Sequence, residues 1–122
     1  GLPADAVEHG DFTTAGGAAA CRRLLDAHPD LDAVFVASDP MALAALNELA
    51  SRGRRVPDDV AVFGFDDLGL AESATPPLST VVNPVEEMAR TAGQMLVDVL
   101  EGQEVSDAGL VLPAELVLRR ST

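Results

Sequence analysis

The chain has no lysine, no tryptophan and no tyrosine, with one cysteine and four phenylalanines in 122 residues. Each shortage removes a class of chemistry. Without lysine there is no Schiff base and no phosphate-loop ammonium. The lone Cys21 cannot close an internal disulfide, which fits a reducing compartment, and it reads as a small buried apolar residue on a helix. His9 and His28 have no partner at metal-ligand spacing, so neither a metal nor a cofactor is expected. No apolar run approaches the roughly 18 residues of a membrane span, and no secretory signal is legible in the first residues. Positive charge is scarce too. Eight basic residues, all arginine, face 20 acidic ones for a net charge of −12. This stretch therefore repels a phosphate backbone and is not itself a nucleic-acid-binding surface.

What is present is a core. Hydrophobic residues make up 48% of the chain, enough for one domain or part of a larger one. Residues 4–9 read as a strand. Thr13 or Thr14 caps a helix running to about Ala27, with Ala18, Cys21, Leu24 and Leu25 inward and Pro29 as the stop. Gly16 and Gly17 weaken its first turn and suggest close backbone approach. Residues 32–37 form an apolar run expected to be a strand buried on both faces. Asp39 and Pro40 then read as N-cap and first residue of a helix ending at Arg52 and Gly53. Its core stripe is Ala42, Ala45, Leu46 and Leu49. Met41, Leu43 and Ala50 lie off that stripe, and a second apolar face asks for a second surface, a subunit interface being one candidate.

Residues 60–65 read as the second buried strand, 68–77 as a loop and 79–82 as a third strand. Asn83 reads as the cap of a helix from Pro84 to about Glu101, stopped by Gly102, with Val85, Met88, Ala89, Ala92, Met95, Leu96, Val99 and Leu100 on its apolar face. Residues 106–109 read as a loop, and 110–112 and 115–118 as terminal strands. The alternation predicts an α/β fold with a mainly parallel sheet flanked by helices.

In such a sheet ligands bind beyond the carboxyl ends of strands, where this chain carries Ser38, Asp39, Asp66 and Asp67. Asp66 suits hydroxyl or ring N–H groups of a polar ligand, or else serves a turn. Asp39 fits a helix cap and Ser38 a tight turn equally well. Phe12, in Gly-Asp-Phe-Thr, can stack on a sugar face or a flat ring, or staple the helix that follows. Asp58 and Asp59 read as solvated turn residues. A phosphate loop and a nucleophile elbow are both ruled out by their missing residues.

Three stretches carry a family resemblance: D-A-V-F-V-A-S-D-P-M-A-L-A-A-L from Asp32, R-V-P-D-D-V-A-V-F-G-F-D-D from Arg55, and P-P-L-S-T-V-V-N-P from Pro76. The ending L-P-A-E-L-V-L-R-R-S-T also fits. The chain resembles the LacI/GalR family of bacterial transcription regulators, in the C-terminal part of their effector-binding core, over residues 1–122. That resemblance implies a periplasmic-binding-protein-like (type I) C-terminal lobe and a regulator in the cytoplasm. It implies that Phe12 lies over an effector ring and that Asp66 holds effector hydroxyl or N–H groups. Ser38 stands where the family often has Asn, Asn83 at a hinge position that is often Gln, and Asp39 beside the ligand as a secondary contact. It further implies a homodimer, for which Met41, Leu43 and Ala50 are the candidate surface. Operator DNA would be bound through an N-terminal helix-turn-helix outside this chain, with no membrane partner and no enzymatic activity. Residues 83–112 would pack with the other, missing lobe. The exposed face of their helix is expected to find a partner here, by packing back or by exchange between chains. A sugar-binding transport protein of the same fold is the alternative. Phosphoryl-transfer folds with acidic strand ends typically need a lysine, which this chain lacks.

Overall fold

The structure is a computed structural model and describes residues 6–67, 69–105 and 109–122. The elements run α1 (Thr14–Ala27), β1 (Ala33–Phe35), α2 (Asp39–Ser51), β2 (Ala61–Phe63), β3 (Thr80–Val82), α3 (Val85–Leu100) and β4 (Glu115–Val117). They fall into two compact units, Gly1–Val82 with Leu116–Thr122, and Asn83–Glu115.

In the first unit β1 and β2 pair in parallel, Val34 opposite Val62. Parallel bridges from Phe63 to Ser79 and from Asp66 to Val82 carry the sheet on to β3, and β3 pairs with β4. Thr13 caps α1 with its side chain accepting from the Gly16 N–H. α1 lies on α2, and Gly17 is the reason it can: a β-carbon there would stand 2.7 Å from the Met41 Cα. Cys21, Leu25, Ala42, Ala45, Leu46, Leu49, Val60, Val62, Ala71 and Leu78 form the core. Burial pushes the Cys21 thiol up to about 11, which leaves it unreactive.

Several expectations need correction. Residues 6–9 are not strand, and residues 4 and 5 lie outside the described residues. β1 is not buried on both faces: Phe35 is 61% exposed, whereas Val34 packs against the core. Successive side chains of a strand point to opposite faces, and the helix pair covers the one that carries Val34. Of the second apolar face of α2, Met41 meets α1 at Gly17 and is buried within the chain. Residues 110–112 are not strand. The expected loops at 68–77 and 106–109 include residues 68 and 106–108, which lie outside the described residues.

The sheet is locked by the chain's last residues. The Val62 N–H donates to the Ser121 carbonyl at 2.8 Å. Ser121 Oγ donates to the Val62 carbonyl at 2.6 Å and accepts from the Ser79 N–H at 2.8 Å. A buried hydroxyl thus satisfies backbone groups of two strand segments at once.

The turn before β2 is held by charge. The Asp59 carboxylate accepts from the Arg55 N–H at 2.8 Å, from its Nε at 3.0 Å and from its Nη2 at 2.8 Å. Those bonds hold the Asp59 carboxyl down to about 2 from its ordinary 3.8. A depressed folded-state value means this support is full above about 3.8 and fades as pH falls towards 2. In Arg55→Gln, an NMR titration is expected to show the Asp59 carboxyl moving back up towards its ordinary value; an unmoved midpoint would refute the clamp.

In the second unit α3 begins after Pro84 with no side-chain cap, so Asn83 is not its N-cap. None of its residues is buried. Residues 110–112 and Ala114 line a cavity of about 460 Å³ with Met88, Ala92 and Met95 of α3. Val111 remains 90% exposed.

Candidate functional site

The carboxyl ends of β1 and β2 bring Ser38, Asp39, Asp66 and Asp67 together. The Asp39 N–H donates to the Phe65 carbonyl at 2.8 Å, and the Asp66 N–H to the Val81 carbonyl at 2.9 Å. Those bonds tie the first turn of α2 and the start of the 66–67 turn into the sheet edge.

Asp39 does not cap α2, as the sequence suggested; Ser38 is the N-cap, with extended backbone and no side-chain capping bond. Asp39 is 1% exposed. Its Oδ1 accepts from Thr80 Oγ1 at 2.7 Å and its Oδ2 from the Asp67 N–H at 2.8 Å. Gly64 makes room for it: a β-carbon there would collide with Asp39 Oδ1 and stand 2.9 Å from Leu78 Cδ2. Burial pushes the Asp39 carboxyl up, the bonds from Thr80 and the Asp67 N–H draw it back, and the charges of Asp67 and Asp66 push it up again.

Ser38 is 4% exposed, and its Oγ has no hydrogen-bond partner among the described residues. A buried hydroxyl left unpaired is costly, and one at a helix N-terminus on a sheet's carboxyl edge is a poised ligand group. Asp66 is half-buried, with φ 117°, and Asp67 has φ 50°. Two successive non-glycine residues with positive φ are uncommon, and such strain clusters at binding sites. Asp67 is committed elsewhere, its Oδ2 accepting from Arg119 Nη2 at 3.0 Å.

Phe12 shares the positive φ, at 62°, and is 69% exposed. A staple would need an apolar side chain at the fourth helical position, which is Gly17, so the stapling role is closed to it. Phe12 lines a cavity of about 590 Å³ with Ala37 and Met41, next to Ser38 and near the start of α2. The cavity is mostly apolar, bounded also by Val7, Leu24 and Val34 with Glu8 and His9 as its polar members, and Ser38, Asp39, Asp66 and Asp67 do not line it. Volume alone therefore does not mark the site; the convergent polar groups do. Asn83 belongs to the second unit, directly after β3. Of the candidate interface residues Met41 is buried, Leu43 half-buried and Ala50 exposed.

Sequence reasoning missed Arg119, Thr80 and Gly64. The separations between partners, 52 residues for Arg119 and Asp67 and 41 for Thr80 and Asp39, leave no local pattern to find. Among the described residues no group of three or more His, Cys, Asp and Glu is placed to hold a metal ion, because Asp39 and Asp67 turn their oxygens to Thr80 and Arg119. A half-buried Asp66 carboxylate and a buried, unpaired Ser38 hydroxyl at one sheet edge are groups that suit hydroxyls of a polar ligand.

A periplasmic binding protein-like domain matches residues 1–122. The HTH-type transcriptional regulator CelR of Thermobifida fusca is 51% identical over 115 residues, 94% of this chain and 34% of that protein. The solved complex of the transcriptional regulator CelR with cellobiose superposes with a TM-score of 0.89 at 51% identity, over 93% of this chain and 35% of that one. A LacI family regulator from Arthrobacter sp. FB24, solved with lactose, gives 0.83 at 36% identity, over 94% and 44%. The chain thus spans about a third of the length of the curated relatives it matches. It belongs to the periplasmic binding protein-like domain family, and its relatives there are LacI-type transcriptional regulators.

Proposed function

We propose that this chain is the effector-sensing and dimerisation part of a LacI-type transcriptional regulator that answers to a small sugar, with disaccharides the first class to test. The observation that carries the proposal is the meeting of the unpaired Ser38 hydroxyl with the strained Asp66 at one sheet edge. It gains support from the cellobiose and lactose complexes of the similar regulators. Asp66 accepts from sugar hydroxyls, Ser38 supplies a hydroxyl, Phe12 stacks on the apolar face of a ring, Asp39 holds the turn from behind, and Asn83 stays a candidate contact. Leu43 and Ala50 remain the candidates for contact with a second copy. Operator DNA is bound through a helix-turn-helix outside these 122 residues, in the cytoplasm. Among the described residues no helix is long and apolar enough to cross a membrane.

The mechanism is linkage. The sugar binds one arrangement of the regulator better than another and shifts operator affinity by that difference, typically about 1–3 kcal/mol. A sugar at 100 times its Kd adds about 2.7 kcal/mol of stability. Cellobiose or lactose at millimolar concentration is expected to raise the unfolding midpoint of the intact regulator and to change operator binding in a gel-shift assay. No midpoint change with either would sink the disaccharide proposal.

A further inference from the structure

We infer that Arg119 is a positioning residue for this site: its guanidinium closes a ring of hydrogen bonds that fixes the turn at Asp66 and Asp67. The inference rests on the effector-site reading above.

The ring is continuous. Arg119 Nη2 donates to Asp67 Oδ2 at 3.0 Å and Nη1 to the Leu78 carbonyl at 2.9 Å. The Asp67 N–H donates to Asp39 Oδ2 at 2.8 Å, and Thr80 Oγ1 donates to Asp39 Oδ1 at 2.7 Å. Thr80 lies two residues beyond Leu78 on the same segment, which completes the circuit. A further bond, from the Arg119 N–H to Ser79 Oγ at 2.8 Å, fixes the backbone from which the guanidinium reaches. The Arg119 and Asp67 side chains are 17% and 15% exposed, so water and salt screen the pair weakly.

The turn needs such a frame. Asp66 and Asp67 hold φ of 117° and 50°, and consecutive strained residues persist only where their surroundings over-determine them. Asp39 holds the backbone of Asp67 and Arg119 holds its carboxylate. Removing Arg119 would take a positive charge from a place where Asp67 and Asp66 stand close enough to raise the Asp39 carboxyl by their charges. Like charges would then drive the turn apart and carry Asp66 out of place. A planar fork serves two acceptors from one rigid group, which a lysine cannot reproduce.

The test uses the intact regulator with cellobiose as probe, in calorimetric titrations of the parent, Arg119→Met, Arg119→Lys, Asp67→Asn, the Arg119→Met/Asp67→Asn double variant and Asp66→Ala. Amide hydrogen exchange is followed alongside. Arg119→Met is expected to weaken cellobiose by about 10-fold or more, with Arg119→Lys between it and the parent. The double variant is expected to bind no worse than the weaker single one, because both substitutions break one link. The Asp66 and Asp67 amides should lose protection while those of Leu49 and Val36 keep theirs. Parent-like affinity in Arg119→Met beside a weakened Asp66→Ala would overturn the inference. So would additive losses, or protection lost uniformly. Unchanged affinity in Asp66→Ala would instead sink the effector-site reading. Should the parent not bind cellobiose, selective against uniform exchange decides for or against the ring. If Arg119→Met does not fold, Arg119→Lys is judged by the same two readouts.

Discussion

Asp66→Ala in the intact regulator is expected to weaken cellobiose binding by about 1.5–3 kcal/mol for each charged hydrogen bond lost, roughly 10- to 150-fold per bond. The size follows from where the residue sits. It leaves the carboxyl end of the central strand segment with its N–H bonded to the Val81 carbonyl, and its backbone is held in the left-handed region. A group presented on a fixed backbone loses little freedom when it binds, so most of each bond appears as affinity. Alanine keeps the backbone and removes the acceptor. Asp58→Ala is the matching control, since Asp58 lies in an exposed turn paired with Arg55 at 3.4 Å. It is expected to leave the affinity alone, because exposed ion pairs of this kind contribute little. Parent-like affinity in Asp66→Ala by calorimetry would remove the carboxylate from the site.

Leu78→Ala is expected to destabilise the protein by about 2–5 kcal/mol, measured by denaturant unfolding. Leu78 is fully buried, and it fills the space above Gly64 that a β-carbon would otherwise enter. It also belongs to the core that joins α1, α2 and β2. Truncation leaves a cavity where close packing lets the walls relax only partly. A second substitution makes the argument specific. Gly64→Ala alone is expected to cost stability, because its methyl would meet Leu78 and Asp39 Oδ1. With Leu78 already truncated, one of those two obstacles is gone, so the double variant should be more stable than the sum of the singles predicts. Strict additivity would show that the two positions do not share that space.

Much of the frame was legible locally. Thr13 as a cap, Gly53 and Gly102 as helix stops, and the stripe of Ala42, Ala45, Leu46 and Leu49 all follow from period and capping chemistry. The position of Asp66 after an apolar strand was legible for the same reason. The role of Asp39 was not. Its type and its place before Pro40 fit a helix cap, whereas its oxygens go to Thr80 and Asp67, 41 and 28 residues away. Phe35 misled in another way. A continuous apolar run cannot say which faces of a sheet are covered, and here one face of β1 is open. The cap expected at Asn83 failed because Pro84 takes the N-cap position and offers no side-chain acceptor.

By itself, then, the sequence determined the alternation of strands and helices, the acidic character that excludes nucleic acid from this surface, and the sheet edge at which polar groups would gather. These are matters of neighbours, and neighbours are set by covalent spacing and by the period of each element. Only the tertiary structure decided which oxygens at that edge are already satisfied and which hydroxyl is left unpaired. Those facts depend on Arg119, Thr80 and Gly64 arriving from distant parts of the chain, and hydrogen bonding and close packing in three dimensions leave no local trace of who will arrive.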